Sequence, residues 1–444
     1  MSGAVMKYFT PILSIGIWIF CCMVCTISSA QDSIINDALI NDSTESEVGE
    51  ANPANSNLYT EIDRFGGPSS VSGQLAEDNQ VDARQFRFAG FQSVVEPWFG
   101  FKQRVDQRIG LQFEADQTML YQIASRGNGR NDASSGLFRF FGQWNLIGRR
   151  TGYPGYLVFK GENRHRIGSN VTPSQLGFDA GSAVLTATQF NDFSFSVTNL
   201  FWKQYLFDKR VAVVLGRIDV TDFVDVYALA NPITGFLNLS FSANPTIAVP
   251  NQGFGTALGG MLTENIYVQG GFADANGSST RAGFDTFFDQ SEFFSYIEFG
   301  ITPSQEKIYL ENVHVTLWNS DARLQAGTPS GNGVAVTYQK FIDEKWLPFF
   351  RFGYSDGDIA LLQTVFSTGI GLRRQNNDVA GLGLSWGKPS DNNARSQFTT
   401  ECFYRFQLTR TLAITPDLQL IANPSFAPTS DILALFGVRA RLAY

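Results

Sequence analysis

Residues able to do covalent chemistry are scarce in this 444-residue chain. It holds two histidines, His165 and His314, and four cysteines, of which only Cys402 lies beyond the first thirty residues. Neither histidine stands in an HExxH pattern, and no GxxxxGK[ST] or strand-linked GxGxxG loop is present, so zinc hydrolysis and phosphate-loop chemistry have no local signature. One GxSxG occurs, Gly353-Tyr-Ser-Asp-Gly357. A nucleophile elbow needs a strand before the serine and a helix after it; a second strand-like run follows here, which marks the match as chance. What remains are charged and aromatic side chains that could hold a polar solute: Arg139, Glu162, Arg164, Lys203, Arg217, Asp219, Asp222, Asp225 and Tyr227. Carboxylates and guanidinium groups match hydroxyls by hydrogen bonding, and aromatic faces pack on the apolar faces of sugar rings. Such a set binds or passes small polar solutes without a catalytic residue, a metal or a cofactor, and it does not predict an enzyme.

The elements that position these residues are strands. From Phe86 to Tyr444 the chain runs in strand-length segments with period-2 alternation. Phe366, Thr368, Ile370 and Leu372 share one face while Ser367, Gly369, Gly371 and Arg373 share the other; beyond a polar turn, Ala380, Leu382, Leu384 and Trp386 stand opposite Gly381, Gly383 and Ser385. This is a hairpin with one apolar and one small or polar face. The same reading places strand cores at 109–125, 136–148, 155–163, 196–206, 210–218, 254–262, 265–273, 291–300, 307–317, 332–342, 346–355, 362–374, 379–387, 397–408, 411–420 and 432–444. A strand of about 10 residues, tilted about 40°, covers roughly 25 Å, the height of the apolar band of a bilayer. No stretch beyond the first thirty residues is apolar over the roughly 18 residues that a spanning helix requires. The 40 Phe, 14 Tyr and 42 Gly against 17% charged residues also suit a greasy, bending sheet better than a soluble α/β enzyme.

Connections between these segments alternate short and long. Tight turns at 149–154, 207–209, 263–264, 301–306, 343–345, 375–378 and 409–410 interleave with mostly longer links, among them 164–195, 219–253, 274–290 and 318–331, the exception being 356–361. Outer-membrane barrels have this parity, with short periplasmic turns and long external loops. The final run, Ile432 to Tyr444, alternates apolar residues with Arg439 and Arg441, and pairing it with the first strand removes the sheet edges a bilayer would not tolerate. The expected fold is all-β: a closed antiparallel transmembrane barrel of about sixteen strands. Opposite parity then lines the lumen with charges of both signs, including Arg351, Glu401, Arg405 and Asp417, most of them serving as wall-to-wall salt bridges. The third external connection, 219–253, is too long and apolar for a solvated tip. It is expected to fold inward and narrow the channel, setting Asp219, Asp222, Asp225 and Tyr227 against wall cations such as Arg139, Arg164 and Lys203.

Two segments precede the barrel. Residues 1–30 have the layout of a cleaved secretory signal, with Lys7, an apolar run from Ile12 to Cys25, and small residues Ser28 and Ala30. Removing it takes the net charge from −8 to −9, since Lys7 is the one charged residue lost, and an acidic chain argues against nucleic acid as partner. It also leaves Cys402 alone, so no intrachain disulfide can form. Residues 31–85 are polar and acidic, with no cation before Arg64, and read as a flexible periplasmic segment. The barrel domain is then 86–444.

The C-terminal stretch Leu384-Ser-Trp-Gly-Lys-Pro389, Phe398-Thr-Thr-Glu-Cys-Phe-Tyr-Arg-Phe-Gln-Leu408 and Leu412-Ala-Ile-Thr-Pro-Asp-Leu-Gln-Leu-Ile-Ala-Asn-Pro424 resembles the carbohydrate-selective porin family of bacterial outer membranes, the OprB family. The ending Phe436-Gly-Val-Arg-Ala-Arg-Leu-Ala-Tyr444 is similar to that family's closing strand. Upstream, Leu215-Gly-Arg-Ile-Asp-Val-Thr-Asp-Phe223 and Phe236-Leu-Asn-Leu-Ser-Phe-Ser-Ala-Asn-Pro245 are also similar to its members. The resemblance implies a sixteen-stranded barrel in the outer membrane that passes monosaccharides and related solutes by diffusion; the acidic segment before residue 85 lies outside the pattern. The expected partners are membrane lipid, lipopolysaccharide and carbohydrate solutes, with the oligomeric state open. Three other readings stay open at this point: a general, non-selective diffusion porin, a barrel-type enzyme using Ser355 and His165, and a structural barrel plugged by its third loop and residues 31–84.

Overall fold

The computed structural model describes residues 65–80, 86, 89–127, 130–149, 151–374 and 377–444. The leader expected at 1–30 and most of the acidic segment lie outside them. Sixteen antiparallel strands, from β1 (Leu111–Ala124) to β16 (Ile432–Ala443), close into one barrel in which each strand pairs with its sequence neighbour and β1 pairs with β16. Each of the sixteen expected cores overlaps one of these strands. The largest boundary error is at β9 (Asn312–Ser320), expected from residue 307. There Gln305–Lys307 is a 3-10 turn, and Ile308, Tyr309 and Leu310, although strand-like in type, are buried in the short connection before the strand.

Period-2 alternation separates two surfaces. On β1, Met119, Tyr121 and Ile123 are exposed while Glu114, Asp116, Thr118 and Gln122 are buried. On β9, Val313, Val315 and Leu317 are exposed and His314 and Thr316 buried. A ring whose exterior is apolar and whose interior is polar is the inverse of a soluble fold, and it satisfies every ladder hydrogen bond without an edge. No helix among the described residues is long and apolar enough to cross a membrane.

Closure is specific. Asp116↔Ala443 through Ala124↔Leu435 sets the β1–β16 register, and a one-residue slip would turn every lipid-facing side chain inward. Charge reinforces this seam: Asp116, fully buried, accepts Arg139 Nε of β2 (Asp132–Ile147) at 2.8 Å and Arg441 Nε of β16 at 2.8 Å, so one carboxylate ties three adjacent strands.

Two helices depart from expectation. Val71–Gln80 lies within the segment expected to be flexible, and Ala89–Ile109 occupies the start of the expected barrel domain. The first places Val71 and Leu75 four apart on one buried face, a helical spacing masked by the acidic composition around it. The second crosses the rim below β1. Its Lys102 Nζ meets Glu114 Oε2 of the inner face at 2.6 Å, while Trp98 packs edge-on against Phe113 of the outer face. Arg149 closes its C-terminal end by donating to the carbonyls of Asp106 and Gln107 at 2.7 and 3.2 Å.

Candidate functional site

The connection between β5 (Val211–Ile218) and β6 (Gly253–Met261) carries most of the candidate residues. Its start is fixed locally. Asp219 caps a 3-10 turn at Val220–Asp222, its Oδ1 accepting from the Thr221 amide at 3.0 Å and hydroxyl at 2.6 Å, and its Oδ2 takes the Gln252 amide at 2.5 Å. Asp219 thus clips the two ends of the connection together. Burial opposes its charge, but Lys160 and these donors prevail and hold its carboxyl below the usual range.

Asp225 is the main polar anchor. It accepts from Arg351 Nη2 of β11 (Trp346–Asp356) at 2.6 Å, from His314 Nε2 of β9 at 2.9 Å, from Thr337 Oγ1 at 2.6 Å and from Asn244 Nδ2 at 3.0 Å. Burial alone would raise its pKa; Arg351 and His314 outweigh it and hold the carboxyl well below the usual carboxylate range. Arg351 also donates to the carbonyls of Phe241 and Ala243 at 3.1 and 2.7 Å, and its guanidinium sits 4.7 Å from the centroid of the Tyr227 ring. The Tyr227 hydroxyl donates to the Phe241 carbonyl at 2.8 Å, and burial raises its pKa. One wall arginine therefore holds four residues of the connection, Asp225, Tyr227, Phe241 and Ala243.

Further round the ring, Glu401 of β14 (Gln397–Gln407) accepts the backbone N–H groups of Leu237 and Asn238 at 2.6 and 2.9 Å. Asn238 in turn caps the short helix Leu239–Ser242 through the Ser240 amide. Arg439 of β16 donates to the carbonyls of Pro232 and Gly235. Apolar packing runs between these anchors, with Phe236 4.9 Å from Phe403 and 5.0 Å from Phe241 between ring centroids. The wall makes room with glycine: a Cβ on Gly383 would lie 2.7 Å from the Phe241 ring, and one on Gly381 2.8 Å from Phe236. A methyl at either position would collide with the connection, which explains the small-residue face of this hairpin.

The preceding long connection joins in. Its helix Pro173–Asp179, capped by Thr172, packs Leu176 against Ala124, Ala133 and Leu435. Two backbone hydrogen bonds, Leu239 N to Leu185 O at 2.9 Å and Thr188 N to Leu237 O at 3.0 Å, tie the two connections together.

The remaining candidates divide. Arg139 is a wall residue paired with Asp116, and Glu162 pairs with Arg164 Nη2 at 2.5 Å and faces Lys160 Nζ at 3.9 Å. Arg164 also reaches Asn191 at 3.0 Å. Lys203 of β4 (Phe193–Leu206) donates to the Phe65 carbonyl at 2.9 Å. The expected pairing of Asp219, Asp222 and Asp225 with Arg139, Arg164 or Lys203 is corrected: among the described residues their partners are Gln252, Asn199, and the Arg351–His314 pair. The connection reaches past the near wall to strands further round, and the sequence does not reveal that reach. Arg217 is also corrected. It shares strand parity with the exposed Leu215, and its guanidinium donates to the carbonyls of Val197, Ala282 and Ser278 at 2.7, 2.7 and 2.5 Å, clasping the 275–292 connection instead of facing the lumen. His314, and Glu298, whose Oε2 accepts the Asp225 backbone N–H at 3.1 Å, were missed as anchors; their signal was a polar residue at inward parity on otherwise apolar strands. Ser355 lies inside β11 and donates to the Leu362 carbonyl at 3.0 Å, with strand on both sides instead of an elbow.

Asp222 is the candidate whose charge is least supported. It is 2% exposed and, among the described residues, has one side-chain donor, Asn199 Nδ2 at 3.1 Å. Burial pushes its carboxyl up to about 7, with Asp219 and Glu162 adding to the rise and Lys160 opposing it. A folded-state value above the ordinary one means that the folded protein binds the proton more tightly, so this contribution is full at low pH and lost as pH rises through about 7. Thermal unfolding in detergent should therefore show the parent losing about 1 kcal/mol more stability than D222N between about pH 6 and about pH 8. An equal loss in D222N would assign the titration elsewhere.

Comparison with known proteins adds family and fold. The description "Carbohydrate-selective porin, OprB family" matches residues 163–340 and 309–444. The chain is 23% identical over 284 residues to Porin AaxA of Chlamydia muridarum (strain MoPn / Nigg), spanning 60% of this chain and 59% of that protein. It is 21% identical over 281 residues to Porin AaxA of Chlamydia abortus (strain DSM 27085 / S26/3), spanning 60% and 62%. The chain thus matches about three fifths of the length of these relatives. Among solved structures, the high-pH structure of Pseudomonas putida OprB aligns with a TM-score of 0.62 at 15% identity, covering 78% of this chain and 97% of that one.

Proposed function

The chain belongs to the carbohydrate-selective porin, OprB family, and from that premise we propose that it is an outer-membrane channel for passive diffusion of carbohydrates and similar small polar solutes. On this reading residues 1–30 direct export, the apolar exterior meets lipid, and the 219–252 connection lies in the lumen as the constriction. The observation that carries the reading is the anchoring of that connection to inward-facing residues on β9, β11, β14 and β16, within a ring that is apolar outside.

The physical logic is exchange. A sugar entering a narrow polar passage loses water from its hydroxyls, and carboxylate, amide and guanidinium groups replace those hydrogen bonds. Wall charges of both signs, paired as in Arg139–Asp116 and Arg164–Glu162, leave little net field, which favours neutral solutes over ions of either sign. Passage stays fast only if no single contact is tight, and a pore built from many moderate hydrogen bonds meets that condition.

Uptake into proteoliposomes tests this directly. Radiolabelled glucose should enter faster than an amino acid or a phosphate ester of similar size. Equal rates for all three would leave a general diffusion porin and remove the carbohydrate preference.

A further inference from the structure

We propose that residues 65–80 form a second constriction, in series with the 219–252 connection and on the tight-turn side of the barrel, so that the N-terminal segment helps to determine what the pore passes.

The contacts place this segment among inward-facing wall residues on separate parts of the ring. At its start, the Phe65 carbonyl accepts Lys203 Nζ at 2.9 Å, and the Gly66 N–H donates to the Tyr309 hydroxyl at 2.8 Å. The Phe65 ring lies where a Cβ on Gly259 of β6 would be, 2.4 Å from its Cδ1. In the middle, Val71 and Leu75 are buried in one apolar cluster that includes Phe141 of β2 and Phe201 of β4. At its end, Glu77 Oε1 meets Arg405 Nη1 of β14 at 2.6 Å, and Asp78 meets Arg441 Nη1 and Nη2 of β16 at 2.7 Å each. A bidentate carboxylate–guanidinium pair of this kind fixes orientation as well as position. Contacts with β2, β4, β6, β14 and β16 require the segment to cross the interior.

Depth follows from the same residues. Lys203 is near the end of β4 that enters a tight turn, Gly259 near that end of β6, and Arg405 near that end of β14; Tyr309 lies in the short connection before β9. Tight turns mark the periplasmic end of outer-membrane barrels. The 219–252 connection enters from the other end, and the two layers meet: Gly67 N donates to the Asp222 carbonyl at 3.0 Å, and Asn231 Nδ2 donates to the Pro68 carbonyl at 3.1 Å. Between them is a small cavity lined by Glu77, Thr234, Arg373 and Arg405 together with the apolar Ala228 and Leu229. A solute that clears the outer layer must then pass the helix, which lies between that layer and the tight-turn end.

This inference rests on the pore reading, and planar-bilayer recording of the full chain separates the two. Reversing both acids, E77R with D78R, sets like charges against Arg405 and Arg441 and should expel the helix, raising single-channel conductance about two-fold or more and admitting larger sugars. Adding R405E restores one attractive pair and should bring conductance back toward the starting value. Gel mobility of unheated against heated samples shows whether each barrel is folded. If the double variant misfolds, R405E alone, which repels Glu77 from the wall side, is recorded in its place with the same expectation. A folded variant with unchanged conductance and size limit overturns the second constriction, whereas absence of conductance from every folded form overturns the pore itself.

Discussion

Replacing Arg351 by methionine should release the 219–252 connection from the wall and lower the stability of the barrel by about 3–5 kcal/mol, the usual result of stranding one member of a buried ion pair. Arg351 is 1% exposed, and its guanidinium meets the Asp225 carboxylate together with the carbonyls of Phe241 and Ala243, so methionine removes a countercharge and several donors at once. His314, Thr337 and Asn244 remain around Asp225 but cannot neutralise it unless the imidazole is protonated. Two readouts follow. Protease should begin to cut within 219–252 while the ring stays intact, and D225N in the R351M background should recover part of the lost stability, because a neutral amide needs no cation. A connection as resistant to protease in R351M as in the parent would show that its apolar packing, and not this arginine, holds it. If 65–80 is a constriction in series, R351M combined with E77R and D78R should conduct more than either change alone.

Removing the carboxylate at the seam should have an effect of similar size. Asp116→Ala deprives both Arg139 and Arg441 of their shared partner at a position with no solvent exposure. Arg441 keeps Asp78, but Arg139 is left as a buried cation, and a loss of about 3 kcal/mol is expected. The temperature at which the folded form disappears on gels should fall, and so should the urea midpoint. Equal midpoints for D116A and the parent would mean that the β1–β16 ladder alone sets closure.

Much of this molecule could be read before its structure. Strand positions, lipid-facing parity and ring closure were legible because a membrane barrel imposes a strict two-residue period, and Phe366, Thr368 and Ile370 against Ser367 and Gly369 display it. What escaped was whatever depended on tertiary partners. Val71 and Leu75 have helical spacing, but in an acidic stretch two apolar residues suggest no burial until a cavity exists to receive them. Arg217 is among the candidate constriction residues, but parity with Leu215 puts it on the outer face, where the 275–292 connection covers it. For Asp219, Asp222, Asp225 and Tyr227, their presence within a folded connection was readable from the apolar residues around them. Their partners were not, since no local pattern links Asp225 to an arginine 126 residues away.

The pairing of β1 with β16 also bears on how the chain is assembled. Asp116 and Arg441 are 325 residues apart, so the hydrogen bonds that complete the ring are among the most non-local in the molecule. Entropy makes such a join late and slow, and until it forms both terminal strands present bare edges beside greasy faces. A partly closed ring therefore leaves both edges open to pairing with another copy, and the chain must be shielded from its own kind until the last strand arrives.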